Sequence, residues 1–186
     1  FKMASINSLG YRTDHTIDEK LGVAKESTDA NGLSTIYTYD SFGNILSATS
    51  PLDTTIYTMW WSRDVAQAPI NSEYYTKTES TGKPTTTTFY DCLGREVRRV
   101  TESPDGKSIL ATITNYDNCG RVHEVSNPYF PKYQPILTTT EYDKAGRIES
   151  VTDQLGRTTR YSYDGLKTTV TNANGYSSSK IVDRHG

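Results

Sequence analysis

The sequence has little of what usually holds a globular chain together. Of 186 residues only two are Cys, two Met, two Trp and four Phe, and apolar residues make up 34%. That apolar share is below the usual one for a globular domain. Two cysteines cannot staple a chain of this length into a disulfide framework. No apolar run approaches the roughly 20 residues of a membrane-spanning helix. A dominant charge is missing as well. Twenty basic residues against 22 acidic ones leave a net charge of −2, which gives no field for steering nucleic acid or an anionic membrane. The opening Phe1-Lys2-Met3-Ala4 lacks the charged start and apolar stretch of a secretory leader.

Catalytic and metal-binding patterns are absent too. The three histidines, His15, His123 and His185, lie far apart, whereas metal sites need clustered His, Cys or carboxylates. There is no Gly-rich phosphate loop, no Gly-x-Ser-x-Gly elbow and no His-Glu-x-x-His. Asp recurs once per turn and not in the alternating pattern of a calcium loop. The expectation is therefore no enzyme, no cofactor and no metal.

What is present is tyrosine, 14 residues of it, together with much threonine. Both favour pleated, half-buried surfaces. A high net charge would have indicated disorder, but the charge is small. An all-β protein with a thin core built from tyrosine rings follows.

One motif recurs, Tyr-Asp-x-x-Gly-Arg followed by an apolar residue. It appears at Tyr90-Asp91 with Gly94-Arg95, at Tyr116-Asp117 with Gly120-Arg121, and at Tyr142-Asp143 with Gly146-Arg147, spaced 26 residues apart. Tyr39-Asp40 with Gly43 carries Asn44 in place of Arg. Tyr163-Asp164-Gly165 lacks the two spacers and should make a tighter turn, Asp-Gly being a hairpin signal. Ile17-Asp18 reads as a decayed copy with one inserted residue, and Val182-Asp183 as a truncated one. A second row of glycines precedes several copies by seven residues: Gly10, Gly32, Gly156 and Gly175. Short strands between regular turn signals indicate an antiparallel meander.

Each turn has an expected chemistry. Asp at its start can accept hydrogen bonds from N–H groups two or three residues on, and Gly supplies a backbone conformation other residues resist. Tyr ends one strand and lays its ring over the thin sheet. Arg begins the next, lying over a Tyr ring, pairing with an Asp, or simply solvated. The apolar positions after each Gly fall three apart: Val97 and Val100, Val122 and Val125, Ile148 and Val151. A regular strand would put such a pair on opposite faces. Either a bulge lies between them or both faces are covered.

These motifs, with the partner segment Asp153-Gln154-Leu155-Gly156-Arg157, resemble the YD repeat of RHS proteins. That family includes bacterial polymorphic toxins, shell subunits of insecticidal toxin complexes, wall-associated proteins and teneurins. The resemblance implies a β-strip spiralling into a hollow shell that encloses a toxic domain or serves as an extracellular scaffold. It also implies an exported or cell-surface bacterial parent. The autoproteolytic core signature of such shells is not present. The expected fold is a twisted antiparallel β-meander of roughly a dozen short strands, two per repeat. It would be a single array over residues 1–186, cut from a longer parent because the pattern is already under way at both ends. Neighbouring repeats are the expected partners, with an enclosed effector domain as a further one. Exposed strand edges lead to the expectation of edge-to-edge association.

Residues 51–81 carry no such motif and read as a degenerate repeat or an insertion. They contain Tyr57, Trp60 and Trp61, which could form a platform for carbohydrate or peptide, or plug the repeat. The stretch from Asn127 to Pro135 reads as an extended, proline-punctuated loop and a second candidate contact surface. Cys92 and Cys119 sit in equivalent turns two strands apart, roughly 9–10 Å at the usual strand spacing. That exceeds the roughly 7 Å limit for bridging, so two free thiols are expected.

Overall fold

The computed structural model describes residues 3–66, 68–103, 109–130 and 132–182. His185 and the copy beginning Val182-Asp183 fall at or beyond the end of that range. The chain divides into two compact units, Phe1–Arg95 with Val100–Ser108, and Glu96–Arg99 with Ile109–Gly186.

The first unit holds β1 (Ala4–Ile6), β2 (Arg12–Ile17), β3 (Ala24–Thr28), β4 (Ser34–Tyr39), β5 (Ile45–Thr49), β6 (Thr54–Trp61), β7 (Tyr74–Ser80) and β8 (Thr86–Tyr90). A single 3-10 turn, Ser62–Asp64, follows β6. Strand β9 (Glu96–Glu102) contributes to both units. The second unit holds β10 (Ile109–Tyr116), β11 (Val122–Ser126), β12 (Leu137–Tyr142), β13 (Ile148–Thr152), β14 (Thr158–Asp164), β15 (Lys167–Thr171) and β16 (Ser177–Ile181). From β1 to β8, and again from β10 to β16, every strand pairs antiparallel with the next in sequence. The fold is thus an antiparallel β-meander.

Among the described residues sixteen strands form where the sequence suggests a dozen. Six motif turns join twelve strands, and counting two per motif misses β6 and β7, which form without any Tyr-Asp motif, and the outer strands β1 and β16.

A bulge explains the three-residue apolar spacing. Opposite β10, Val122 faces Tyr116 and Val125 faces Thr114, with the register slipping by one between them. Ile148 and Val151 likewise face Tyr142 and Thr140, and Ile45 and Ala48 face Tyr39 and Tyr37. The partners are two apart and share a face, so the bulged pairs do too.

The core is thin. Among the described residues the buried apolar side chains are Phe89, Val97 and Ala111. Hydrophobic burial therefore contributes little per residue. Ladder hydrogen bonds and the side chains clasping each turn carry correspondingly more.

Candidate functional site

The recurring unit is built at each turn from one carboxylate. The Asp91 N–H donates to the Arg95 carbonyl, and the Gly94 N–H donates to the Asp91 carbonyl, both at 3.0 Å. Asp91 Oδ1 accepts the N–H groups of Leu93 and Arg95, both at 2.9 Å. Asp40, Asp117 and Asp143 repeat this cradle. The acceptances come from two and four residues on, not two and three. Gly94, at φ 75°, spends its own N–H on the Asp91 carbonyl, and the left-handed step returns the following N–H to the carboxylate. Asp18, with its inserted residue, keeps the two-and-three arrangement.

The same cradle stands at the other end of the strands, where the sequence singled out the glycines and, for one copy, the segment Asp153-Gln154-Leu155-Gly156-Arg157. Asp29 and Asp153 form it, and Asn7 and Asn172 form its Oδ1 half. The available signal was an Asp or Asn three residues before each Gly.

Arginine performs both of its expected tasks at once. Arg121 places Nε and a terminal nitrogen on Asp117 Oδ2, each at 2.7 Å, and lies 4.2 Å from the Tyr142 ring centre. Arg147 does the same between Asp143 and Tyr163, again at 4.2 Å. Arg95 pairs with Asp91 and Arg157 with Asp153. These contacts hold the carboxyls below their usual range. For Asp91 and Asp117, burial pushes upward but is outweighed by bonds from the backbone and side chain of the following Arg. For Asp143 the leading cause is the Arg147 N–H, and for Asp153 it is the Arg157 side chain.

Four of the motif tyrosines then reach back over a preceding turn. The Tyr142 hydroxyl donates to the Val122 carbonyl at 2.8 Å and Tyr163 to the Ile148 carbonyl at 2.9 Å. Tyr116 donates to Glu96 at 2.9 Å, and Tyr39 to Ala24 at 2.7 Å. Ala24, Val122 and Ile148 each open a bulged strand, and Glu96 opens β9. Asp, Arg and the next Tyr thus form one clasp spanning two copies, which motif reading does not reveal.

Tyr57, Trp60 and Trp61 are brought together on β6. With Met59 and Tyr74 they form one wall of an open cleft of about 300 Å³. Asp40, Asn44, Ile45 and Leu46 form the other wall. Neither indole is buried, Trp60 being 59% and Trp61 45% exposed. The Trp60 indole N–H donates to Asp64, and Arg63 lies over the Trp61 ring. Tyr74 stacks on Tyr90 with ring centres 4.9 Å apart.

The remaining candidates are dispersed. His123 Nδ1 lies 3.0 Å from the Thr140 carbonyl oxygen. Among the described residues no three His, Cys, Asp or Glu side chains gather into a possible metal site. Cys92 and Cys119 are free, exposed thiols. The proline-punctuated stretch is tied down at Tyr129, whose N–H and carbonyl both bond Ala111. No helix among the described residues is long and apolar enough to cross a membrane. Asp164 remains in β14, and Gly165 at φ 56° makes the two-residue turn with Leu166.

The family model described as RHS Repeat matches residues 23–55 and 142–177. No curated protein matches the chain. Among solved structures the chain is similar to one described as TcdB2-TccC3-Cdc42, at 14% identity and a TM-score of 0.71. It is also similar to TcdB2-TccC3 without its hypervariable C-terminal region, at 14% identity and a TM-score of 0.68. Each likeness covers 92% of this chain but 14% of the other. This chain therefore spans about one seventh of the length of the proteins whose fold it shares.

Proposed function

Because the chain carries RHS repeats, we propose that it is a wall segment of a hollow shell in a large exported bacterial protein. In this reading it has no catalytic role, and the shell encloses or displays an effector domain. Residues 51–81 are then a repeat that has lost its Tyr-Asp motif. The observation that carries the reading is the clasp. Tyr142 and Tyr163 each supply a hydroxyl and a ring to a preceding turn, so stability adds copy by copy without a thick core. The fold likeness to TcdB2-TccC3 supports the same conclusion. One of those structures lacks a hypervariable C-terminal region, and the passenger proposed here is a variable domain of that kind.

Electron cryo-microscopy of the full-length polypeptide containing this segment tests the proposal. The expected result is a closed or spiral wall in which these strands surround a lumen. A free-standing stalk with both sheet faces in solvent would overturn it.

A further inference from the structure

We propose that the aromatic cleft on the first unit binds a tyrosine side chain presented by an extended peptide. Strand register places this cleft where a clasp would stand, whether or not the chain forms part of a shell. Across β3 and β4, Ser27 faces Thr35, and the clasping tyrosine, Tyr39, stands four residues further on. Val125 facing Thr138 leads in the same way to Tyr142, and Val151 facing Thr159 leads to Tyr163. Across β5 and β6, Ala48 faces Thr55, and four residues on stands Met59. In each complete case the phenol donates to the carbonyl three residues before the first member of the pair: Ala24, Val122 and Ile148. The corresponding carbonyl here belongs to Ile45. Met59 has no hydroxyl to offer it.

The second member of the clasp is missing at the same place. Where Arg121 and Arg147 support a tyrosine ring, this copy has Asn44, whose amide is held by Asp40 Oδ2 at 2.9 Å. Two substitutions, Met59 for Tyr and Asn44 for Arg, leave the cleft open. It is lined by Ile45 and Leu46 on one side and by Tyr57, Trp61 and Tyr74 on the other. A 150 Å³ apolar cavity holds a benzene ring, so about 300 Å³ accommodates a phenol with the backbone that carries it.

The polar inventory favours a phenol over a sugar. The Asp40 carboxylate is already occupied by the N–H groups of Phe42 and Asn44 and by the Asn44 amide. That leaves the cleft no free carboxylate of the kind that would bind the vicinal hydroxyls of a pyranose. A phenol needs an apolar slot and one acceptor, which is what the repeat provides elsewhere in the chain.

The 186-residue chain titrated with N-acetyltyrosinamide, and separately with N-acetylphenylalaninamide, tests this. Indole N–H signals of Trp60 and Trp61 serve as the readout. The tyrosine probe is expected to give saturable shifts at about 10 mM, with the phenylalanine probe weaker by about threefold or more because it cannot reach the carbonyl. Met59→Tyr fills the slot from within and should abolish the shifts. Asn44→Arg, which restores the guanidinium that supports the Tyr142 and Tyr163 rings elsewhere, should tighten binding of the tyrosine probe and serves as the test if Met59→Tyr fails to fold. Equal affinity for both probes, undiminished binding in folded Met59→Tyr, no tightening in folded Asn44→Arg, or no saturable shift would overturn the proposal. Shifts of the same indoles by chito- or malto-oligosaccharides without a response to tyrosine would assign the cleft to glycans instead.

Discussion

Replacing Asp91 separates the two halves of the turn chemistry. Asp91 is 6% exposed. One oxygen holds two backbone N–H groups and the other holds the Arg95 guanidinium. Asn7 and Asn172 show that an amide oxygen can hold the N–H pair alone, at 2.9–3.0 Å. Asp91→Asn therefore keeps the backbone half and loses the ion pair. With Arg95 still partly solvated, that loss costs about 1 kcal/mol. Asp91→Ala loses both halves. Hydrogen bonds to a charged group contribute about 1.5–3 kcal/mol each. Leu93 at the turn tip is exposed, so water recovers part of this, and a net loss of about 3 kcal/mol remains. With a urea slope of about 2 kcal/mol per molar, the midpoints fall by about 0.5 M for Asn and about 1.5 M for Ala. Trp60 and Trp61 lie in the same unit as Asp91, so tryptophan fluorescence reads the relevant transition. Equal losses for the two variants, or an Ala variant within about 0.5 kcal/mol of the parent, would refute the division of labour.

Three further outcomes follow from the same geometry. Gly43 has φ +86° with nothing within 4 Å of a built Cβ, so Gly43→Ala should cost about 1–2 kcal/mol from backbone strain alone, and a urea midpoint matching the parent would contradict it. The lowered pKa values of Asp91, Asp117, Asp143 and Asp153 mean that the unfolded chain binds more protons in acid. Their stabilisation is present above the unfolded value, about pH 4, and fades as pH falls through the lower folded values; urea midpoints unchanged between pH 6 and pH 3 would count against this. Among the described residues strand β16 pairs with β15 alone and is exposed throughout, so light scattering should show mass rising with concentration as free edges pair, and a constant monomer mass would exclude it.

Local structure was the legible part. Asp91, Asp117 and Asp143 announce their turns because the Asp-to-Gly spacing is a property of a few consecutive residues. The Val122–Val125 spacing pointed to a bulge without choosing it, since the choice depends on what β10 places opposite. The clasp was illegible for a related reason. Arg147 and Tyr163 meet across 16 positions of chain, and no nearest-neighbour pattern records that contact. The cleft was half visible. Trp60 and Trp61 stood out by composition, but only the alignment of β5 with β6 shows that Met59 stands where a tyrosine belongs.

The backward reach of Tyr142 and Tyr163 also bears on how such a chain can lengthen. A duplicated stretch arrives already carrying the hydroxyl and ring that close the stretch before it, and presents at its own far side an arginine awaiting the next arrival. Growth by copying thus requires no newly evolved junction. A copy that loses its tyrosine leaves a gap in its predecessor while its own strands stay paired.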